Sequence, residues 1–73
     1  MIIIHSNVPL LMELRKIKVP EMIEKTGMDE LTIKKLRSDK LIGSCRLESL
    51  HKMATILDVR LDNLFSIIEI EGV

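Results

Sequence analysis

The hydrophobic positions of this 73-residue chain change their spacing along its length, and each change marks an element. Ile2, Ile3 and Ile4 are consecutive, β-branched and ahead of any helical period, which predicts a short strand. Ser6 or Asn7 then stands where a cap belongs, before a helix that runs from Val8 or Pro9 to about Lys16. Val8, Leu10, Leu11, Met12 and Leu14 cover more than one face of that helix, so one side meets the core and the other a strand or a second subunit. Ile17 packs inward and sets the angle at which the chain enters the next helix.

From Val19 to Ser38 the pattern predicts two short helices joined at Gly27. Pro20 suits the first turn of a helix because its φ is already set and it has no N–H to leave unpaired. Gly27 accepts the positive φ that a helix end needs. Asp29 is placed to cap a second helix, Glu30 to Arg37 or Ser38, in which Ile33 and Leu36 at i, i+3 face the core. Glu30, Leu31, Thr32, Lys34, Lys35 and Arg37 are thereby left facing outward.

Asp39 to Cys45 reads as a loop. Leu47, Leu50, Met53, Ala54 and Leu57 then repeat at helical spacing, the clearest amphipathic stretch in the chain, which Asp58 ends. A short turn of helix follows at Leu61 to Phe65. Ser66 to Glu71 closes with alternating apolar and acidic residues and predicts a second strand, free to pair antiparallel with the first or with a partner's copy. The whole, residues 1–73, is expected to be a single domain.

Composition changes this picture in two ways. Nearly half the residues are apolar but Phe65 is the sole aromatic, so the core must be built of leucine, isoleucine, valine and methionine. The net charge is zero, which alone argues against a nucleic-acid partner, yet its distribution argues for one. Lys34, Lys35, Arg37, Lys40 and Arg46 cluster against the single acid Asp39, whereas Glu48 to Val73 carries five acids against two bases. Cys45 is alone, which excludes an internal disulfide and suits a reducing cytoplasm. The apolar start is too short for a membrane span or a signal-peptide core. His5, Cys45 and His51 are too scattered for a metal set, and nothing resembles a phosphate loop, a nucleophile with its base or a carboxylate pair; no catalytic residue, cofactor or small-molecule substrate is expected.

Two blocks, Glu21-Met22-Ile23-Glu24-Lys25-Thr26-Gly27-Met28-Asp29 with Thr32, Ile33 and Leu36, and Leu47-Glu48-Ser49-Leu50-His51-Lys52-Met53-Ala54 with Leu57-Asp58-Val59 and Leu61 to Phe65, together resemble the Cro/CI-type (XRE) helix-turn-helix regulators. The resemblance covers Val8 to Phe65. It implies an all-α, five-helix lambda-repressor-like domain, and the short N- and C-terminal β-strands are similar to a small subgroup whose termini pair as an antiparallel ribbon. It further implies that the second helix of the motif enters the major groove of double-stranded DNA by its N-terminal end. The residues matching Glu30, Leu31, Thr32 and Lys35 would then reach base edges. Lys18, Val19, Ser38 and Lys40 match positions that hold phosphate oxygens. Lys34 and Arg37 complete the basic face.

Some positions depart from the family. Val19 replaces a phosphate-binding glutamine, Ile23 a small alanine against the following helix, and Asp39 a glycine at which the chain is expected to turn left-handed. Glu30 brings an acid to the leading edge. One recognition helix spans few base pairs, so a homodimer is expected, with Ile2, Ile4, Ile67, Ile68 and Ile70 serving strand pairing or the dimer seam. The other function class open to this sequence is a protein-interaction module, antitoxin-like or anti-repressor, which uses the acidic C-terminal part and the isoleucine strand.

Overall fold

The computed structural model describes residues 1–71. In chain order it has β1 (Ile2–Ser6), α1 (Val8–Leu14), α2 (Val19–Thr26), α3 (Glu30–Leu36), a 3₁₀ turn (Ile42–Ser44), α4 (Leu47–Leu57), a second 3₁₀ turn (Leu61–Leu64) and β2 (Phe65–Glu69). Among the described residues there are thus four α-helices, not the five expected. Leu61–Leu64 is too short to close more than one turn, and the tighter 3₁₀ form lets it bury Leu64 before Phe65 passes straight into the strand.

Local chemistry sets the helix ends. α1 stops at Leu14, earlier than its apolar pattern suggested: Lys16 takes φ +57° and the Ile17 N–H returns to the Met12 carbonyl at 2.9 Å. Asn7 stands at its N-cap position, but the oxygen that meets the helix is that of Ser6, whose hydroxyl accepts the Val8 N–H at 3.3 Å. The Asn7 amide instead donates to the Asn63 carbonyl and to Ser66 Oγ, both at 3.1 Å. α2 ends at Gly27, φ +73°, and α4 at Asp58, φ +55°, both in the left-handed region. Arg15 donates Nε to the Leu57 carbonyl at 3.0 Å, which satisfies a carbonyl left over at the end of α4.

Val8, Met12, Met22, Met28, Ile33, Leu36, Ile42, Leu50, Met53, Ala54, Leu57 and Leu64 form one aliphatic core, with Ile4, Ile17, Ile23 and Phe65 packed at its margin. Each wholly buried leucine, isoleucine or methionine contributes roughly 1.5–3 kcal/mol of transfer free energy. Ser6 is the one buried polar residue among the described residues, and it donates its hydroxyl to the Leu36 carbonyl at the end of α3.

β1 and β2 pair antiparallel as a two-stranded ribbon, Ile2 opposite Glu69, Ile3 opposite Ile68, Ile4 opposite Ile67, His5 opposite Ser66 and Ser6 opposite Phe65. Each strand is framed differently than expected. β1 runs on through His5 to Ser6, and β2 starts at Phe65 and ends at Glu69. The ladder continues to Asn7 and Leu64 at one end and to Met1 and Ile70 at the other, so Ile70 pairs without being counted in the strand.

Candidate nucleic-acid interface

α3 is built to project. Asp29 caps it, its carboxylate accepting the Thr32 N–H at 2.9 Å. Thr32, through its side-chain hydroxyl first and this backbone N–H second, holds the Asp29 carboxyl below its ordinary pKa. Ile33 and Leu36 are fully buried, which fixes the helix on the core and turns the rest of its surface outward. Leu31 is 61% exposed, so it is not a core residue. Thr32 is half-buried, and Glu30, Lys34, Lys35 and Arg37 are exposed.

Ion pairing separates the cations into two sets. Lys25 pairs with Glu21, Lys34 with Glu30, Lys52 with Glu48 and Arg60 with Asp62, at 3.1–3.5 Å. Arg15 spends its guanidinium on the carbonyls of Leu57 and Asp58. Among the described residues, Lys16, Lys18, Lys35, Arg37, Lys40 and Arg46 meet no carboxylate within 4.0 Å. Glu30 therefore neutralises Lys34 and leaves Lys35 and Arg37 unpaired; being exposed, that pair is weak and easily exchanged.

Four of these six cations line two concavities that α3 borders, Lys18 and Arg37 in one and Lys35 and Arg46 in the other. One is lined by Pro9, Met12, Glu13, Ile17, Lys18, Val19 and Arg37, and so brings together the start of α2 and the end of α3. The Val19 side chain packs at the core margin, so only its backbone N–H remains to meet an anion there. The other, of about 330 Å³, is lined by Thr32, Lys35, Ser44, Cys45, Arg46 and Ser49. It offers two cations and three hydroxyls and contains no carboxylate. Ser44 and Ser49 were not singled out by sequence reasoning, and Arg46 was counted among the bases without a contact assigned to it. The signal that points to Arg46 is its place in the basic cluster; the hydroxyls lie on the 3₁₀ turn and α4, and only folding brings them beside α3.

Cys45 sits in this second concavity as a half-buried thiol. Burial pushes its pKa up, against a smaller opposing pull from the Lys35 ammonium, so it is kept in the unreactive thiol form.

Asp39 departs from expectation. Its backbone is not left-handed; among the described residues, positive φ outside glycine is confined to Lys16 and Asp58. Its carboxylate faces the ribbon, where it accepts the Ser6 N–H at 2.7 Å and approaches His5 Nδ1 at 3.2 Å. The Ser6 N–H first and the His5 ring second hold its pKa below the ordinary value. The acid after α3 is occupied by β1. Ser38 is half-buried with its carbonyl accepting from the Leu41 and Ile42 N–H groups, and Lys40 is exposed beside it.

Two short helices joined through a left-handed glycine, the second capped, held by two buried residues and flanked by free cations, define a helix-turn-helix domain. The model of the Cro/C1-type HTH DNA-binding domain family matches residues 7–69, nearly the whole chain, and the protein belongs to that family. No curated protein and no solved structure gives a significant match. No helix among the described residues is long and apolar enough to cross a membrane.

Proposed function

We propose that the protein is a sequence-specific transcriptional regulator, a repressor, that reads the major groove of double-stranded DNA with the N-terminal half of α3 and acts as a homodimer in the cytoplasm. The observation that carries this reading is that each of the two concavities bordered by α3 is lined by two unpaired cations, Lys18 and Arg37 in one and Lys35 and Arg46 in the other. A helix seated in a groove has a phosphate strand on each side, and each flank here offers donors to one of them. Leu31 and Thr32 reach base edges in this arrangement, with Glu30 available to accept from cytosine N4. Lys35 borders both the leading edge and the second concavity. Lys18, the Val19 N–H, Arg37, Ser38 and Lys40 take phosphates on one side, and Arg46, Ser44 and Ser49 on the other. Blocking RNA polymerase needs only occupancy of a site.

The experiment is a selection on random duplexes followed by titration of the winning sequence between 50 and 200 mM salt. The affinity falls steeply over that range, by roughly 10³-fold where six or more phosphates are neutralised. A flat response means that these cations do not hold a polyanion. The exposed isoleucines of the ribbon favour a second reading, an interaction module for another protein. Recovery of a stoichiometric protein partner with no retained DNA supports that reading instead.

A further inference from the structure

The C-terminal end of α3 is held by a strand far from it in sequence. Among the last carbonyls of that helix, Ile33 accepts the Arg37 N–H at 3.2 Å and Lys35 the Ser38 N–H at 3.1 Å, both from the chain running on. The Leu36 carbonyl is satisfied from outside, by the hydroxyl of Ser6, thirty positions earlier. Ser6 is 3% exposed, and its oxygen also accepts the Val8 N–H, so the hydroxyl is fixed both as donor and as acceptor.

The loop after α3 closes on the same strand. Asp39 spreads its carboxylate over two consecutive residues of β1: Oδ1 accepts the Ser6 N–H at 2.7 Å, and Oδ2 lies 3.2 Å from His5 Nδ1. Three contacts thus clasp β1 to the chain on both sides of Arg37. The one between Ser6 and Leu36 is buried, where a carbonyl left without a donor is costly.

The leading half of α3 has no tie of this kind. Asp29 caps it from within the motif, and the side chains that seat the helix in the core are Ile33 and Leu36. Aliphatic contacts are non-directional, so they fix where a helix rests more firmly than how it tilts. At 1.5 Å of rise per residue Leu31 lies about 7.5 Å along the axis from Leu36, so a tilt of roughly 8° moves it by about 1 Å, enough to spoil a hydrogen bond to a base. The directional bonds at the far end of the helix set that tilt.

We propose that Ser6 and Asp39 are positioning residues for base recognition: through the Leu36 carbonyl and the loop after α3 they fix the tilt of the recognition helix, and with it the base edges that Leu31 and Thr32 meet. This rests on the reading of α3 as the helix that enters the groove. Side chains that read a partner need a supporting set of hydrogen bonds behind them, and here β1 supplies it. The acid beside the basic cluster thereby has a role. A carboxylate next to Lys40 lowers the affinity for every duplex alike, while its bonds to β1 raise the preference among duplexes.

The test is the selection on random duplexes, run on the full chain and on variants first shown by thermal melts to be folded. For each, affinity is measured for the wild-type winner and for a duplex changed at the bases under the leading half of α3. Asp39→Ala removes both contacts to β1 and is expected to lower the ratio of the two affinities roughly tenfold. The salt slope stays as it was, because no cation is lost. Asp39→Asn keeps an oxygen for the Ser6 N–H and loses the charge; it binds both duplexes more tightly and holds the wild-type ratio. Ser6→Ala lowers the ratio as Asp39→Ala does, and Ser6→Thr, which keeps the hydroxyl on a residue suited to a strand, restores it. Should the Ser6 variants not fold, the exposed Asp39 pair decides alone. A merely structural role would lower the melting temperature and leave the ratio of the folded protein unmoved. The proposal is overturned if folded Asp39→Ala keeps the wild-type ratio, or if Asp39→Asn loses as much of it. A wild type that selects no duplex removes the DNA reading and the proposal with it, whereas a selective wild type whose variants are equally selective removes the proposal alone.

Discussion

The recognition helix and the terminal ribbon both expose large aliphatic side chains, Leu31 on one and Ile2, Ile67 and Ile68 on the other, yet their surroundings are opposite. Around α3 the exposed leucine lies near Lys35 and Arg37, which find no carboxylate, beside the Glu30–Lys34 pair. Around the ribbon the isoleucines are flanked by other isoleucines and by Glu69 and Glu71, with no lysine or arginine on either strand. Exposure alone therefore does not name a partner; the charge beside it does. A lone apolar contact amid donors fits a thymine methyl in a groove of phosphates, and an apolar row without cations fits a second copy of the chain. The two regions are tied at one place, where Ser6 and Asp39 join the base of the ribbon to the end of α3.

The comparison can be broken most severely from the core that both regions share. Leu36→Ala removes a wholly buried side chain beneath α3, and urea unfolding is expected to show a loss of about 2–5 kcal/mol in a domain with little to spare. The ribbon and α3 then lose structure together; separate transitions would mean that they do not rest on one core. Ser6→Ala is gentler. It strips the Leu36 carbonyl of its donor and the Val8 N–H of its acceptor, and is expected to lower stability by about 1–2 kcal/mol in the same measurement.

Within the cationic face the sharper contrast is between neighbours. Arg46→Ala and Lys40→Ala are expected to weaken binding to every duplex alike, several-fold each, and to reduce the salt slope by about one. Lys35→Ala is expected to relax base preference as well, a change read by repeating the selection. Lys34→Ala should do least, because that ammonium is already engaged with Glu30. Equal effects at positions 34 and 46 would show that pairing within α3 does not matter to the interface.

The smallest effect is one of pH. Asp39 has a depressed pKa in the folded protein, so its contribution is full above the ordinary carboxylate value and is lost as the pH falls through the lower, folded value. Asp29 shifts in the same direction. Thermal melts should therefore lose a few degrees on acidification through this window, and Asp39→Asn should remove part of that loss.

What could be read from the chain was local. Gly27 and Asp29 announce the turn and cap of the motif by residue type, and Leu47 to Leu57 announces α4 by period. The Glu30–Lys34 spacing is equally plain at i, i+4. The parts that escaped depend on residues far apart in sequence. Asp39 is explained by Ser6, thirty-three positions earlier, and not by its own turn. The second concavity needs α3, the 3₁₀ turn and α4 at once. The last helix shrank to a 3₁₀ turn because four residues with apolar ends at i, i+3 satisfy either geometry, and the strand that follows decides between them.

Amide chemical-shift mapping with the selected duplex tests the division of labour directly. Titrating in DNA should move Leu31, Thr32, Lys35, Arg37, Arg46 and Ser49 most, while diluting the free protein should move Ile2, Ile67 and Ile68. If the duplex shifts the ribbon and leaves the α3 flanks unmoved, the assignment of one surface to DNA and the other to a second copy is wrong.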